Sequence, residues 1–97
     1  MQQFAIRLAV IIRPGEEARR LLPDLQEELN MRPHLLNPRV LWDPDTQRVI
    51  VEIIDTDSDY KRSADGMAEE VWEAVAAVME EFETMRVEVI SALPVPD

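Results

Sequence analysis

Between Ala64 and Glu83, the residues Ala68, Val71, Trp72, Val75, Val78, Met79 and Phe82 recur at helical spacing, while Glu70, Glu73, Ala77, Glu80 and Glu81 fall on the other side. A helix with so wide an apolar stripe is not stable alone in water, so another element must cover it. The segments on either side alternate with a period of two, as strands do, and supply that cover.

The first of these runs from Phe4 to Arg13. Phe4, Ile6, Leu8, Val10 and Ile12 form one strongly apolar face, and Ala9 and Ile11 make the second face partly apolar, which points to an interior strand. Pro14-Gly15 stops it. From Glu16 to about Met31, Ala18, Leu21, Leu22, Leu25 and Leu29 fit an amphipathic helix, with Glu16 and Glu17 in its first turn and Arg32 at its end. Pro23 conflicts with a continuous helix, where it costs about 3 kcal/mol, so the spacing predicts either a kink or a short helix followed by another starting near Pro23.

Arg32 to Pro38 has no period and reads as a connector. Val40 and Trp42 alternate with Arg39, Leu41 and Asp43 in a short strand. The turn-forming Asp43-Pro44-Asp45-Thr46-Gln47 then leads into a strand over Arg48–Asp55. Ser58, Asp59 and Ser63 are candidate caps for the long helix, whose predicted end is near Glu83, and Gly66 weakens its beginning. Met85, Val87 and Val89 alternate with Arg86, Glu88 and Ile90 in a fourth strand. Ser91 to Asp97, with two prolines, reads as a loose tail. Residues 1–92 are thus expected to form a single domain, with 93–97 as a flexible tail.

The order β-α-β-β-α-β predicts an α+β fold of the ferredoxin-like plait type, a four-stranded antiparallel sheet with two helices on one face and the first and third strands central. Its covered face takes Phe4, Ile6, Leu8, Val10, Ile12, Val40, Trp42, Val49, Val51, Ile53, Met85, Val87 and Val89. Its other face carries Arg7, Ala9, Ile11, Ile50, Glu52, Ile54, Arg86, Glu88 and Ile90. If the four isoleucines cluster, they form the centre of a homodimer interface or one wall of a ligand site; if scattered, they belong to an ordinary monomer surface.

Composition narrows the function classes. The 97 residues are 46% hydrophobic, enough for one domain with a real core. Cysteine is absent, which excludes disulfides, thiolate metal sites and thiol nucleophiles and is compatible with a cytoplasmic, reducing location. No apolar run approaches the roughly 20 residues of a membrane-spanning helix, and the N-terminus does not read as a signal peptide. Residues 1–62 hold eleven acids and nine bases, and residues 63–97 nine acids and one base. A formal charge of −10 disfavours direct binding to nucleic acid or to an anionic membrane.

Candidate chemistry is sparse. Asp55, Asp57 and Asp59 resemble the start of a calcium-binding EF-hand loop, but Tyr60 stands where that loop needs glycine and Gly66 where it needs glutamate; an acidic helix start explains them more simply. Asp43 and Asp45 serve the hairpin turn unless their loop folds over a pocket. His34, the single histidine, has no local acid or nucleophile to work with. Trp42 and Trp72 are expected in the core, or lining a pocket between hairpin and helix, and Tyr60 at the surface. Glu69, Glu70, Glu73, Glu80 and Glu81 make an acidic outer face that either solubilises the chain or meets a basic protein partner. No catalytic, metal-binding or cofactor-binding residue is assigned.

Arg13-Pro14-Gly15, at the first strand-helix junction, resembles the ligand-binding corner of ACT domains, small regulatory plaits that bind amino acids and pair their sheets; Arg13 departs from the aspartate often found there. That resemblance implies a small-molecule ligand at this corner. The leading expectation is a small acidic, non-enzymatic interaction domain that forms a homodimer through its open sheet face. The alternatives are an ACT-like regulatory domain, a small dimeric plait enzyme acting on an organic substrate, and an acidic decoy for a nucleic-acid-binding protein.

Overall fold

Pro23 divides the first helical segment. In the computed structural model, which describes residues 2–13, 15–57, 59–79 and 84–96, β1 (Gln2–Arg13) is followed by α1 (Gly15–Arg20) and α2 (Leu22–Asn30). Pro23 occupies the opening turn of α2, where its missing N–H leaves no intrahelical bond unmade. At the join, the Leu21 N–H donates to the Ala18 carbonyl at 3.2 Å, and the Leu21 carbonyl accepts from Leu25 at 2.9 Å. The expected pair of helices is therefore three among the described residues.

The remaining elements are β2 (Leu36–Asp43), β3 (Arg48–Asp57), α3 (Tyr60–Val78) and β4 (Thr84–Pro94). The architecture is α+β, with a four-stranded antiparallel sheet in the order β2-β3-β1-β4. β1 and β3 are interior. β2 and β4 are the edges, and the prolines within strands, Pro38 and Pro94, lie on those edges.

Alternation decides what each strand buries. Phe4, Ile6, Leu8, Val10 and Ile12 share one core cluster with Val49, Val51 and Ile53, and the same cluster takes in Ala18, Leu25, Leu29, Met67, Val71, Ala74 and Val75. All three helices therefore contribute to the core on one side of the sheet. The shortest dimension of the molecule, 18 Å, is that of two layers.

Several boundaries differ from expectation. β2 begins at Leu36, inside the expected connector, because Asn37 adopts a left-handed φ of 48° and a bulge between Leu36 and Arg39 restores pairing with β3. Gln26 of α2 secures this irregular edge: its side-chain amide donates to the Pro38 carbonyl and accepts from the Val40 N–H, both at 2.8 Å. β4 continues to Pro94 instead of giving way to a loose segment at Ser91, and the Val95 N–H donates to the Gln3 carbonyl at 2.9 Å. Pairing with interior β1 outweighs the weak strand preference of Pro94.

α3 starts four residues before Ala64, capped by the Asp59 carboxylate, which accepts from the Lys61 and Arg62 N–H groups at 2.8 and 3.2 Å. It ends at Val78, short of the expected Glu83; Glu80, Glu81 and Phe82 lie outside the described residues, as does the candidate cap Ser58. Its buried side is Ser63, Ala64, Met67, Val71, Ala74 and Val75. Trp72, expected in the core, is 46% exposed. At about 100° per residue it lies a quarter-turn from Val71, and Met67, Val71, Ala74 and Val75 take the places in the core. Val89, expected on the covered face, is also exposed, next to a bulge in edge strand β4.

Candidate functional site on the open face of the sheet

The face of the sheet away from the helices is ordered in rows, because directly opposed residues of neighbouring strands point the same way. The first row runs Leu36, Ile54, Ala5, Leu93 across β2, β3, β1 and β4. The second is Arg39, Glu52, Arg7, Ser91, and the third Leu41, Ile50, Ala9, Glu88. A fourth level carries the pairs Asp43–Arg48 and Ile11–Arg86. Apolar and charged rows thus alternate, and the candidate isoleucines do not form one patch: the Arg39–Glu52–Arg7 row separates Ile54 from Ile50.

Ile50 and Ala9 are only 4% and 1% exposed although no helix covers them, so this face is partly roofed by its own long side chains. Glu52 stands 3.7 Å from both Arg7 and Arg39. Arg48 comes within 3.9 Å of Glu88, whose other oxygen lies 2.9 Å from Arg86. Ile11 and Ile54 are half-buried, and Leu36 and Leu93 are exposed. Ile90 has no paired partner on β1: the register shifts between Arg7 and Leu8, leaving Ile90 as the extra residue of a bulge, 52% exposed. A period-two reading carried straight through this strand could not anticipate the shift.

Five arginines, Arg7, Arg13, Arg39, Arg48 and Arg86, belong to this face by register, against Asp43, Glu52 and Glu88 among the described residues. That is half of all the lysine and arginine in a chain of net charge −10. The rest of the molecule holds five bases and seventeen acids.

The other candidates are placed elsewhere. Arg13 ends β1 and Gly15 opens α1; Pro14 between them lies outside the described residues. In the acidic group, Glu69 and Glu73 are exposed, Glu80 and Glu81 lie outside the described residues, and Glu70 is turned inward to a task of its own. It accepts from Arg32 at 2.8 Å and lies 3.0 Å from the His34 Nε2, which ties the connector before β2 to α3. Arg32 also reaches Glu28 at 3.4 Å. Burial by itself draws the Arg32 guanidinium down, but its hydrogen bonds to Glu70 and Glu28 more than reverse this and hold it above its ordinary value. The long-range pairing of Arg32 and His34 with Glu70 left no local signal in the sequence.

Each aspartate near the start of α3 has separate work. Asp55 accepts from the buried Ser63 hydroxyl at 2.7 Å, Asp57 from Arg62 Nε at 3.0 Å, and Asp59 caps the helix. A groove of about 450 Å³ between the end of β3 and α3 runs past Asp55, Asp57 and Glu69. Among the described residues, no group of three or more histidine or acidic side chains is arranged to hold a metal ion. In the hairpin, Asp43 accepts from the Thr46 hydroxyl at 2.8 Å and the Asp45 N–H at 3.0 Å, and these two bonds hold its carboxyl below the usual range. Trp42 packs against the core from β2 and Tyr60 is exposed. No helix of the described residues is long and apolar enough to cross a membrane.

Comparison with models of known protein families, with curated proteins and with solved structures gave no match.

Proposed function

We propose that the protein is a small non-enzymatic interaction domain built as a ferredoxin-like plait, and that it pairs with a second copy of itself through the open face of its sheet. Supporting the plait is the strand order: read from the other edge it is β4-β1-β3-β2, with a helical connection after β1 and another after β3 and all helices contributing to one core. The divided first helix is then a local variation that Pro23 imposes.

The observation that carries self-association is the segregation of charge. Two copies at −10 each repel one another over most of their surfaces. The open face combines a local excess of arginine with the exposed apolar residues Leu36 and Leu93, so it is where two such molecules approach at least cost and gain most from excluding water.

Sedimentation equilibrium tests this directly. The expected result is a species of twice 11.2 kDa whose population rises with protein concentration. A mass of one chain at high micromolar concentration overturns the reading.

A further inference from the structure

We infer that the two copies are related by a two-fold axis that runs along the strands, midway between β1 and β3. The inference rests on the self-association proposed above and specifies its geometry. It follows from the row pattern, because such an axis keeps each row facing itself while exchanging β3 with β1 and β2 with β4.

The consequence is a self-complementary surface. In the charged second row, Glu52 of one copy meets Arg7 of the other, and in the fourth level Asp43 meets Arg86. In the first row Leu36 meets Leu93 and the large Ile54 meets the small Ala5, while Ile50 and Ala9 of the third row stay beneath the Arg48–Glu88 bridge and take no direct part. Arg39 falls on Ser91, Arg48 on Ile11 and Leu41 on Glu88. No position sets like charge against like, and in the first row a bulky side chain lies over a small one, as interdigitating sheets require.

The perpendicular choice fails on the same pattern. A two-fold axis across the strands, through the second row, lays Arg7 on Arg7, Arg39 on Arg39 and Glu52 on Glu52. Shifted by half a row spacing toward the third row, it lays Arg48 on Ile54, Asp43 on Leu36 and Glu52 on Ile50 and brings no opposite charges together, whereas the axis along the strands pairs Glu52 with Arg7 and Asp43 with Arg86. Aligned sheets with the usual offset of about 30° keep the favoured pairs within side-chain reach.

The chain has no cysteine, so introduced thiols report the geometry cleanly. Leu36 and Leu93 lie on the two opposite edge strands, three strand spacings or about 14 Å apart. Treated with a short bismaleimide, a mixture of the Leu36→Cys and Leu93→Cys proteins is expected to give cross-linked dimers, and each variant alone is not. Arg86→Asp is expected to weaken association about tenfold by facing Asp43 of the second copy, and adding Asp43→Arg to the same chain is expected to restore it, with circular dichroism confirming that each variant is folded.

If the native protein is dimeric but either single-cysteine variant cross-links to itself, or the mixture does not cross-link, this axis is wrong while self-association stands. If the native protein sediments as one chain at every concentration, both fall together.

Discussion

Arg48 on β3 reaches over β1 to Glu88 on β4, a separation of 3.9 Å, and the β1 residue paired with Glu88 is Ala9. A side chain longer than a methyl group at that position would stand in the path of the ion pair. This roofing gives the uncovered side of the sheet a partly dry interior, with Ile50 beside Ala9.

Ile50 should therefore behave as a core residue. Ile50→Ala is expected to destabilise the fold by about 2–4 kcal/mol, whereas Ile90→Ser at the exposed bulge stays within about 0.5 kcal/mol. Urea denaturation of the two variants, at a single low protein concentration, checks the contrast. Equal effects would show that the roof does not exist.

Arg32 joins three elements, so its loss should be felt across the helical layer. Arg32→Ala is expected to cost about 1–2 kcal/mol, since Glu28 and Glu70 lose their shared cation. Arg32→Lys should recover only part of this, because a single ammonium does not reproduce the forked geometry of a guanidinium. Thermal unfolding of the three proteins side by side measures both steps.

Asp43 makes the hairpin sensitive to acid. Its carboxyl is held low in the folded chain, so its stabilising contribution is fully present above the ordinary aspartate pKa of about 3.9 and is lost as pH falls through the lower folded value. The stability difference between the native protein and Asp43→Ala should be constant from neutrality to mild acid and shrink below about pH 4. Urea titrations at a series of pH values follow that convergence; a difference that grows on acidification would contradict the sign.

Gly66 lies inside α3, and a methyl group added there meets no atom within 4 Å. Gly66→Ala is expected to stabilise the protein by about 0.5–1 kcal/mol through helix preference alone. A rise in the urea midpoint without a change in slope is the expected readout.

Trp72 and Trp42 should respond differently to a neutral quencher. Trp72 is exposed on α3 and Trp42 packs against the core. Acrylamide should quench the fluorescence of Trp42→Phe, which retains Trp72, more strongly than that of Trp72→Phe.

The interior of the sheet was legible in the sequence because alternation is a local property. Phe4, Ile6, Leu8, Val10 and Ile12 of β1 and Val49, Val51 and Ile53 of β3 are buried as their period predicts. Pro23 announced the division between α1 and α2 for the same reason, since its ring acts within one turn. Where several residues compete for one seat, the pattern was ambiguous. The apolar stripe of α3 has the predicted period but is centred away from Trp72, because helical position is resolved only when Met67, Val71 and Ala74 meet the sheet.

By itself the chain therefore determined its element types, its mostly apolar sheet face and its excess of acid, all of which depend on near neighbours and composition. Only the tertiary structure decided the rows on the other face. They depend on strand order and on two bulges, which bring Glu52 beside Arg7 and Arg39, and Glu88 beside Ala9, from distant parts of the chain. Periodicity tells which side of a strand a residue occupies, and pairing between strands then fixes what stands next to it.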